Sequence, residues 1–147
     1  MTKTGPVGLV DIGSNSVVLV VARADTEGWL VLQRVKHSAQ LGACIDPSGA
    51  LSREGIARLR SALTDLITQV QGWNVPFRVT ATASLRNVTN GQAIASALGS
   101  ELGCVIEILS DAEEAAASFL GVWDSESRPH RPLVVVDVGG TSGGSRL

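Results

Sequence analysis

Val7-Gly8-Leu9-Val10-Asp11-Ile12-Gly13-Ser14-Asn15-Ser16-Val17-Val18-Leu19-Val20-Val21-Ala22-Arg23 is the stretch whose reading decides the fold. Val7 to Val10 is a mostly apolar run that leads into Asp11-Ile12-Gly13. Ser14-Asn15-Ser16 reads as a turn, and Val17 to Arg23 as a second, β-branched run. A polar turn at Asp25 to Gly28 precedes a third strand, Trp29 to Val35. Strand, tight turn, strand, turn, strand predicts an antiparallel meander.

Outward from the meander the period changes. Ile56, Leu59, Leu63, Leu66, Ile67 and Val70 fall on one face of a long helix, with Ser52 as N-cap and Gly72 as the stop. Phe77 to Ala81 is short and β-like. Asn90 can cap a second helix that carries Ile94, Leu98 and Leu102 on one face and ends at Gly103. Cys104 to Leu109 reads as a strand. Ser110 to Glu113 fits a capping box, S-x-x-E, and opens a third helix ending near Trp123. A polar loop, Asp124 to Pro132, leads to a last apolar strand, Leu133 to Asp137. The order predicts an α/β fold, a mixed sheet of antiparallel meander plus right-handed βα units with helices packed on it.

Two stretches repeat. Val10 to Ser16 and Val136-Asp137-Val138-Gly139-Gly140-Thr141-Ser142 each follow an apolar strand. The Asp at the end of a buried strand can face a cleft and hold a hydrated cation. The Gly lets backbone N–H groups come close to a phosphate, and the Ser hydroxyl and following N–H groups donate to its oxygens. One such turn alone is usually only a turn. The pair resembles the plan of the actin, heat-shock-chaperone and sugar-kinase superfamily, whose ribonuclease-H-like lobes each carry such a loop near their start. On that plan, residues 1–130 are a first lobe and residues 131–147 the opening strand and loop of a second.

Composition narrows the classes. The chain has 147 residues, 44% apolar and 18% charged, with a formal net charge of −2. It reads as globular, and without a basic run it is not expected to bind a nucleic-acid polymer. Cys44 and Cys104 stand apart, so neither a zinc site nor a disulfide framework is signalled. His37 and His130 read as ordinary loop or surface residues. Trp29, Trp73 and Trp123 read as core or groove-edge packing. No lysine motif of the P-loop type is present. With no signal peptide and no apolar run of roughly 20 residues, the expectation is a soluble, cytoplasmic protein with no membrane partner.

Beyond the superfamily, the blocks resemble one family. Asp11-Ile12-Gly13-Ser14-Asn15-Ser16, Gln40-Leu41-Gly42, Gly49 to Ile56, Ala81-Thr82-Ala83-Ser84-Leu85-Arg86-Asn87 through Asn90, Ile106 to Ala115, and Leu120-Gly121-Val122 follow one another. Their order and spacing resemble the exopolyphosphatase / guanosine-pentaphosphate phosphohydrolase (Ppx/GppA) family. The chain departs from that pattern at Thr141, where a third glycine is usual, and at Asp111, where glycine is usual.

The resemblance implies hydrolysis of terminal phosphoanhydrides on inorganic polyphosphate or guanosine pentaphosphate (pppGpp). It makes Glu114 the catalytic carboxylate that activates or orients water, and it puts Arg86 on the substrate phosphates. Asp11 and Asp137 help hold Mg²⁺. Gly13, Ser14, Asn15 and Ser16 form the first phosphate loop, and Gly139, Gly140 and Ser142 the start of the second. On pattern alone, Glu114 is an exposed first-turn carboxylate favoured by the helix dipole, and Arg86 a solvated or ion-paired side chain. A non-catalytic polyphosphate- or nucleotide-binding lobe is the alternative. The amides from Gly13 to Ser16 are expected to converge on one anion, with Arg86 and Glu114 lining the same groove. The chain is expected to fold without turning over. Leu133 to Val136 is expected to add to a neighbouring copy as a homodimer, to swap between chains or to stay disordered.

Overall fold

The computed structural model describes residues 5–26 and 28–125. Asp137, Gly139, Gly140, Ser142, His130, the strand expected at Leu133–Asp137, its association and the second lobe lie outside the described residues. The meander is β1 (Val7–Ile12), β2 (Ser16–Asp25) and β3 (Gly28–Ser38). It is followed by a 3₁₀ turn (Leu41–Cys44), α1 (Arg53–Gly72), β4 (Phe77–Ala81), α2 (Ala83–Arg86), α3 (Gly91–Leu102), β5 (Ile106–Ile108) and α4 (Asp111–Ser125). The sheet runs β3-β2-β1-β4-β5. β1 and β2, and β2 and β3, pair antiparallel, whereas β1–β4 and β4–β5 are parallel. The mixed sheet is thus as the sequence predicts.

Side chains alternate between faces, so registered partners share one face. One face carries Val35, Leu19, Val10, Val79 and Ile106 in register, with Val17, Ile12 and Ala81 one row away. This is the core, covered by Leu59, Leu63, Leu66, Ile67 and Val70 of α1 and by Ile94 and Leu98 of α3. α1 lies so close to β1 that a Cβ on Gly8 would stand 2.4 Å from Val70 Cγ2. Ser52 caps α1, its hydroxyl accepting from the Gly55 N–H at 3.2 Å. The other face of the sheet carries Asp11 and Thr80 and, among the described residues, has no such helical layer; Leu9 there is 42% exposed. No helix of the described residues is long and apolar enough to cross a membrane.

Two expectations change. Asn90 stands at the N-cap of α3, but its side chain makes no cap bond. Its Oδ1 instead accepts from the Leu51 N–H at 2.9 Å, and its Nδ2 donates to the Leu51 carbonyl at 3.0 Å. A tertiary partner on the entry to α1 outcompetes the local cap. Trp29 and Trp73 are not core residues: both are exposed. Trp29 pairs with Ala24 beyond Val21 and Ala22, where burial on β2 ends, and Trp73 Nε1 donates to Gln33. His37, expected in a loop or at the surface, is a surface residue within β3 and meets Asp65 of α1 at 2.6 Å.

Asn90→Ala would strip both partners from a backbone group whose residue is buried. A loss of about 1–3 kcal/mol of stability is expected. Urea unfolding followed by circular dichroism checks it; a change under about 0.5 kcal/mol, the range of neutral surface substitutions, would show that water replaces the amide.

Candidate active site

β1 and β4 are parallel neighbours, so their C-terminal ends open on the same edge of the sheet, the edge at which α/β folds place ligands. The turn after β1 is Gly13-Ser14-Asn15, and the segment after β4 is Thr82 followed by the single turn α2. The two are tied together: the Ser84 hydroxyl donates to the Ile12 carbonyl at 2.6 Å, in a buried position. Arg86, two residues on, is thereby fixed near the loop.

The loop is pinned from its carbonyl side. The Asn15 carbonyl accepts from the N–H groups of Ala39 at 3.0 Å and Gln40 at 2.9 Å, and the Ser14 carbonyl from that of Gly42 at 3.0 Å. Gln40 reaches this position with φ of 50°, in the left-handed region, where a non-glycine residue is strained. The Gly13 N–H closes the turn on the Ser16 carbonyl at 2.9 Å. The expected set of converging amides therefore narrows. Gly13 is engaged within the turn, while the N–H groups of Ser14 and Asn15 meet no acceptor among the described residues.

The capping box forms as read. The Ser110 N–H donates to Glu113 at 2.8 Å, and the Glu113 N–H to the Ser110 hydroxyl at 3.2 Å. These bonds hold the Glu113 carboxyl below its usual range, the Ser110 N–H being the larger cause. Glu114, about 100° round the helix, turns instead to the sheet. It is one of the few residues of α4 that is not exposed. Arg86 Nη2 lies 3.0 Å from Glu114 Oε2 and also pairs with Asp111, while Nη1 donates to the Leu109 carbonyl at 2.6 Å. Arg86 Nε is buried without a hydrogen-bond partner among the described residues.

Asp11 occupies the middle of the row Lys36, Val18, Asp11, Thr80, Glu107 across the sheet. Thr80 Oγ1 donates to Asp11 Oδ1 at 2.9 Å. Burial pushes the Asp11 carboxyl above its usual value, against the lowering by the Thr80 hydroxyl, and the Glu114 charge adds to the rise.

Two cavities meet here. One, of about 610 Å³, holds Asp11, Thr80, Thr82, Glu113 and Glu114. The other, of about 290 Å³, holds Gly13 to Ser16 together with Arg34, Lys36, Thr82 and Glu114. Thr82 and Glu114 line both. The structure thus brings the loop, Glu114 and Asp11 to one groove. Arg86 adjoins it through Glu114 but lines neither cavity. Thr80, Arg34 and Lys36 lie outside the motif blocks, and Thr82 lies inside one without an assigned role. Arg34 and Lys36 alternate with Val35 and His37 on an edge strand, a pattern that reads as a solvated face until the register is known.

Comparison with known proteins adds a lineage. The Ppx/GppA phosphatase family matches residues 20–144. A guanosine-5′-triphosphate,3′-diphosphate pyrophosphatase of Vibrio vulnificus (strain YJ016) is 33% identical over 136 residues, covering 90% of this chain and 27% of the relative. Exopolyphosphatase 2 of Mycobacterium tuberculosis (strain CDC 1551 / Oshkosh) is 35% identical over 150 aligned residues, 92% of this chain and 46% of the relative. The chain therefore spans less than half the length of these curated relatives. The crystal structure of the Aquifex aeolicus Ppx/GppA family member superposes with a TM-score of 0.74 at 23% identity, over 82% of this chain and 40% of that one. That likeness concerns the fold.

The raised Asp11 pKa has a stability consequence. The folded chain binds a proton on Asp11 more tightly than the unfolded chain. Stability therefore falls as pH rises from the unfolded carboxylate range through the raised value, and the whole penalty is present above it. Asp11→Asn keeps an acceptor for Thr80 and removes the charge. It is expected to raise Tm at pH 7, with the gain vanishing below pH of about 4, where aspartate is protonated in both states. A lower Tm at pH 7 would contradict this account.

Proposed function

Because the chain belongs to the Ppx/GppA phosphatase family, we propose that its groove serves the hydrolysis of terminal phosphoanhydride bonds in inorganic polyphosphate or pppGpp. The observation that carries this reading is the meeting of Glu114 with the Gly13–Ser16 loop in one cavity, beside Asp11. The free N–H groups of Ser14 and Asn15 take oxygens of the terminal phosphoryl group, as loop amides suit an anion. Glu114 accepts a proton from the attacking water. The new P–O bond forms as the bridging P–O bond breaks, giving orthophosphate and a chain one phosphate shorter. Arg86, held by Leu109 and Asp111, fixes the direction of the Glu114 carboxylate.

Asp11 would hold Mg²⁺, with Glu114 as the neighbouring carboxylate. The donor set fits: Asp11 and Glu114 line one cavity, close enough for the Glu114 charge to raise the Asp11 carboxyl, and Mg²⁺ is commonly bound by one or two carboxylates plus substrate phosphates. Bound there, the ion would neutralise charge developing on phosphate oxygens. Asp137, Gly139, Gly140 and Ser142 are proposed to supply the facing phosphate loop, on their sequence match to the first.

The test has two readouts. Calorimetric titration of the chain with polyphosphate and with pppGpp is expected to show binding in each case. Glu114→Gln is expected to keep binding within a few-fold. Because this chain alone is expected not to turn over, phosphate release is read with malachite green on a form extended to the length of its relatives, where the same substitution is expected to lower it by about 10²–10⁴-fold, the usual range for a general base. Release insensitive to Glu114→Gln, or binding to neither compound, overturns the reading.

A further inference from the structure

A phosphoryl oxygen cluster at the Ser14–Asn15 amides needs positive charge nearby, and Arg86 is poorly placed to give it. Its guanidinium meets two carboxylates, Glu114 and Asp111, and the Leu109 carbonyl. Its side chain is only 20% exposed, and it lies behind Glu114 and lines neither cavity. To reach an anion it would have to leave three acceptors, two of them charged.

The second strand of charge lies on β3. Register puts Lys36 opposite Val18 and Arg34 opposite Val20, on the face that carries Asp11. Lys36 is two strand spacings from Asp11, roughly 10 Å. Val18 stands between them on the row, and they form no ion pair among the described residues. Arg34 and Lys36 line the cavity of the Gly13–Ser16 loop, and neither has an acidic partner among the described residues. They are exposed, so their charge is available to a ligand without first breaking an ion pair.

We infer that Lys36, with Arg34 beside it, supplies the side-chain cations that hold a condensed phosphate at the Gly13–Ser16 loop, and that Arg86 acts as a positioning residue for Glu114. The inference rests on the reading above for its ligand class. Lys36 serves the phosphoryl group seated on the loop. Arg34, two residues back along β3, serves the next phosphate, so the chain of phosphates runs along the strand and away from Glu114.

Inorganic tripolyphosphate titrated into the 147-residue chain tests this, by calorimetry together with amide shifts of Ser14 and Asn15 in ¹H–¹⁵N spectra. Lys36→Ala is expected to weaken binding by tenfold or more and Arg34→Ala by a few-fold. Lys36→Arg is expected to restore most of the loss. Arg53→Ala, the same change in net charge on the helix across the sheet, is expected to alter binding less than twofold. A Lys36→Ala/Arg34→Ala variant that binds like wild type, with the Ser14 and Asn15 shifts intact, overturns the inference and leaves the phosphoanhydride reading standing. Wild-type chain that shows no Ser14 or Asn15 shift overturns both. Loss of binding in Arg53→Ala as large as in Lys36→Ala overturns the inference in favour of a diffuse charge effect.

Discussion

The parallel pairing of β1 with β4 is the constraint on which the groove depends. It sets Asp11 beside Thr80 and Ile12 beside Ala81, so both strands end at one level. Only then can the Ser84 hydroxyl reach the Ile12 carbonyl, and only then does the turn carrying Arg86 stand near the loop after β1. A slip of one residue would turn Asp11 into the core and Ile12 out of it. The packed row of Val10, Leu19 and Val79 forbids that slip. The hydrophobic face thus fixes the register of the polar one.

Charge in the groove is arranged in layers. Asp11 and Glu114 are close enough for the charge on one to raise the pKa of the other. Such like-charge proximity costs stability unless a cation intervenes. Arg86 answers one side of Glu114 and Asp111 keeps it there. Among the described residues Asp11 has no cationic partner and accepts from the neutral Thr80 hydroxyl. Asp11 is therefore the carboxylate with unmet demand for positive charge, and the amides of Ser14 and Asn15 are donors with unmet demand for an acceptor. A phosphate accompanied by a cation satisfies both at once.

The meander, α1 and the capping box were legible in the sequence because each is a local, periodic or positional signal. So was the meeting of the loop with Glu114, through the family blocks, whereas Arg86, expected in the same groove, lines neither cavity. α2 was not legible: four residues have no period to detect. Asn90 looked like a cap because its sequence position is a cap position, and its bonds to Leu51 depend on packing across 39 positions of chain. Trp29 and Trp73 were read by residue type, whereas their exposure follows from where the core ends. Lys36 and Arg34 gained meaning only from register, which sequence alone does not give. Arg86 was read from sequence as a phosphate contact. Its ion pairs became visible only when Asp111 and Glu114 were placed on α4.

The asymmetry of the two sheet faces explains why a polar site can exist at all in so small a fold. On the face under α1 and α3, residues such as Val10 and Leu19 are fully buried, and an unpaired charge there would cost several kcal/mol. Among the described residues α4 approaches the other face, and its first turn brings the carboxylates of Asp111, Glu113 and Glu114. Asp11 can then remain partly solvated while still feeling Glu114. The groove owes its electrostatics to that thin cover: enough burial to raise Asp11 and strengthen the Arg86–Glu114 pair, yet enough solvent for a highly charged ligand to enter from the β3 side, where Lys36 and Arg34 stand.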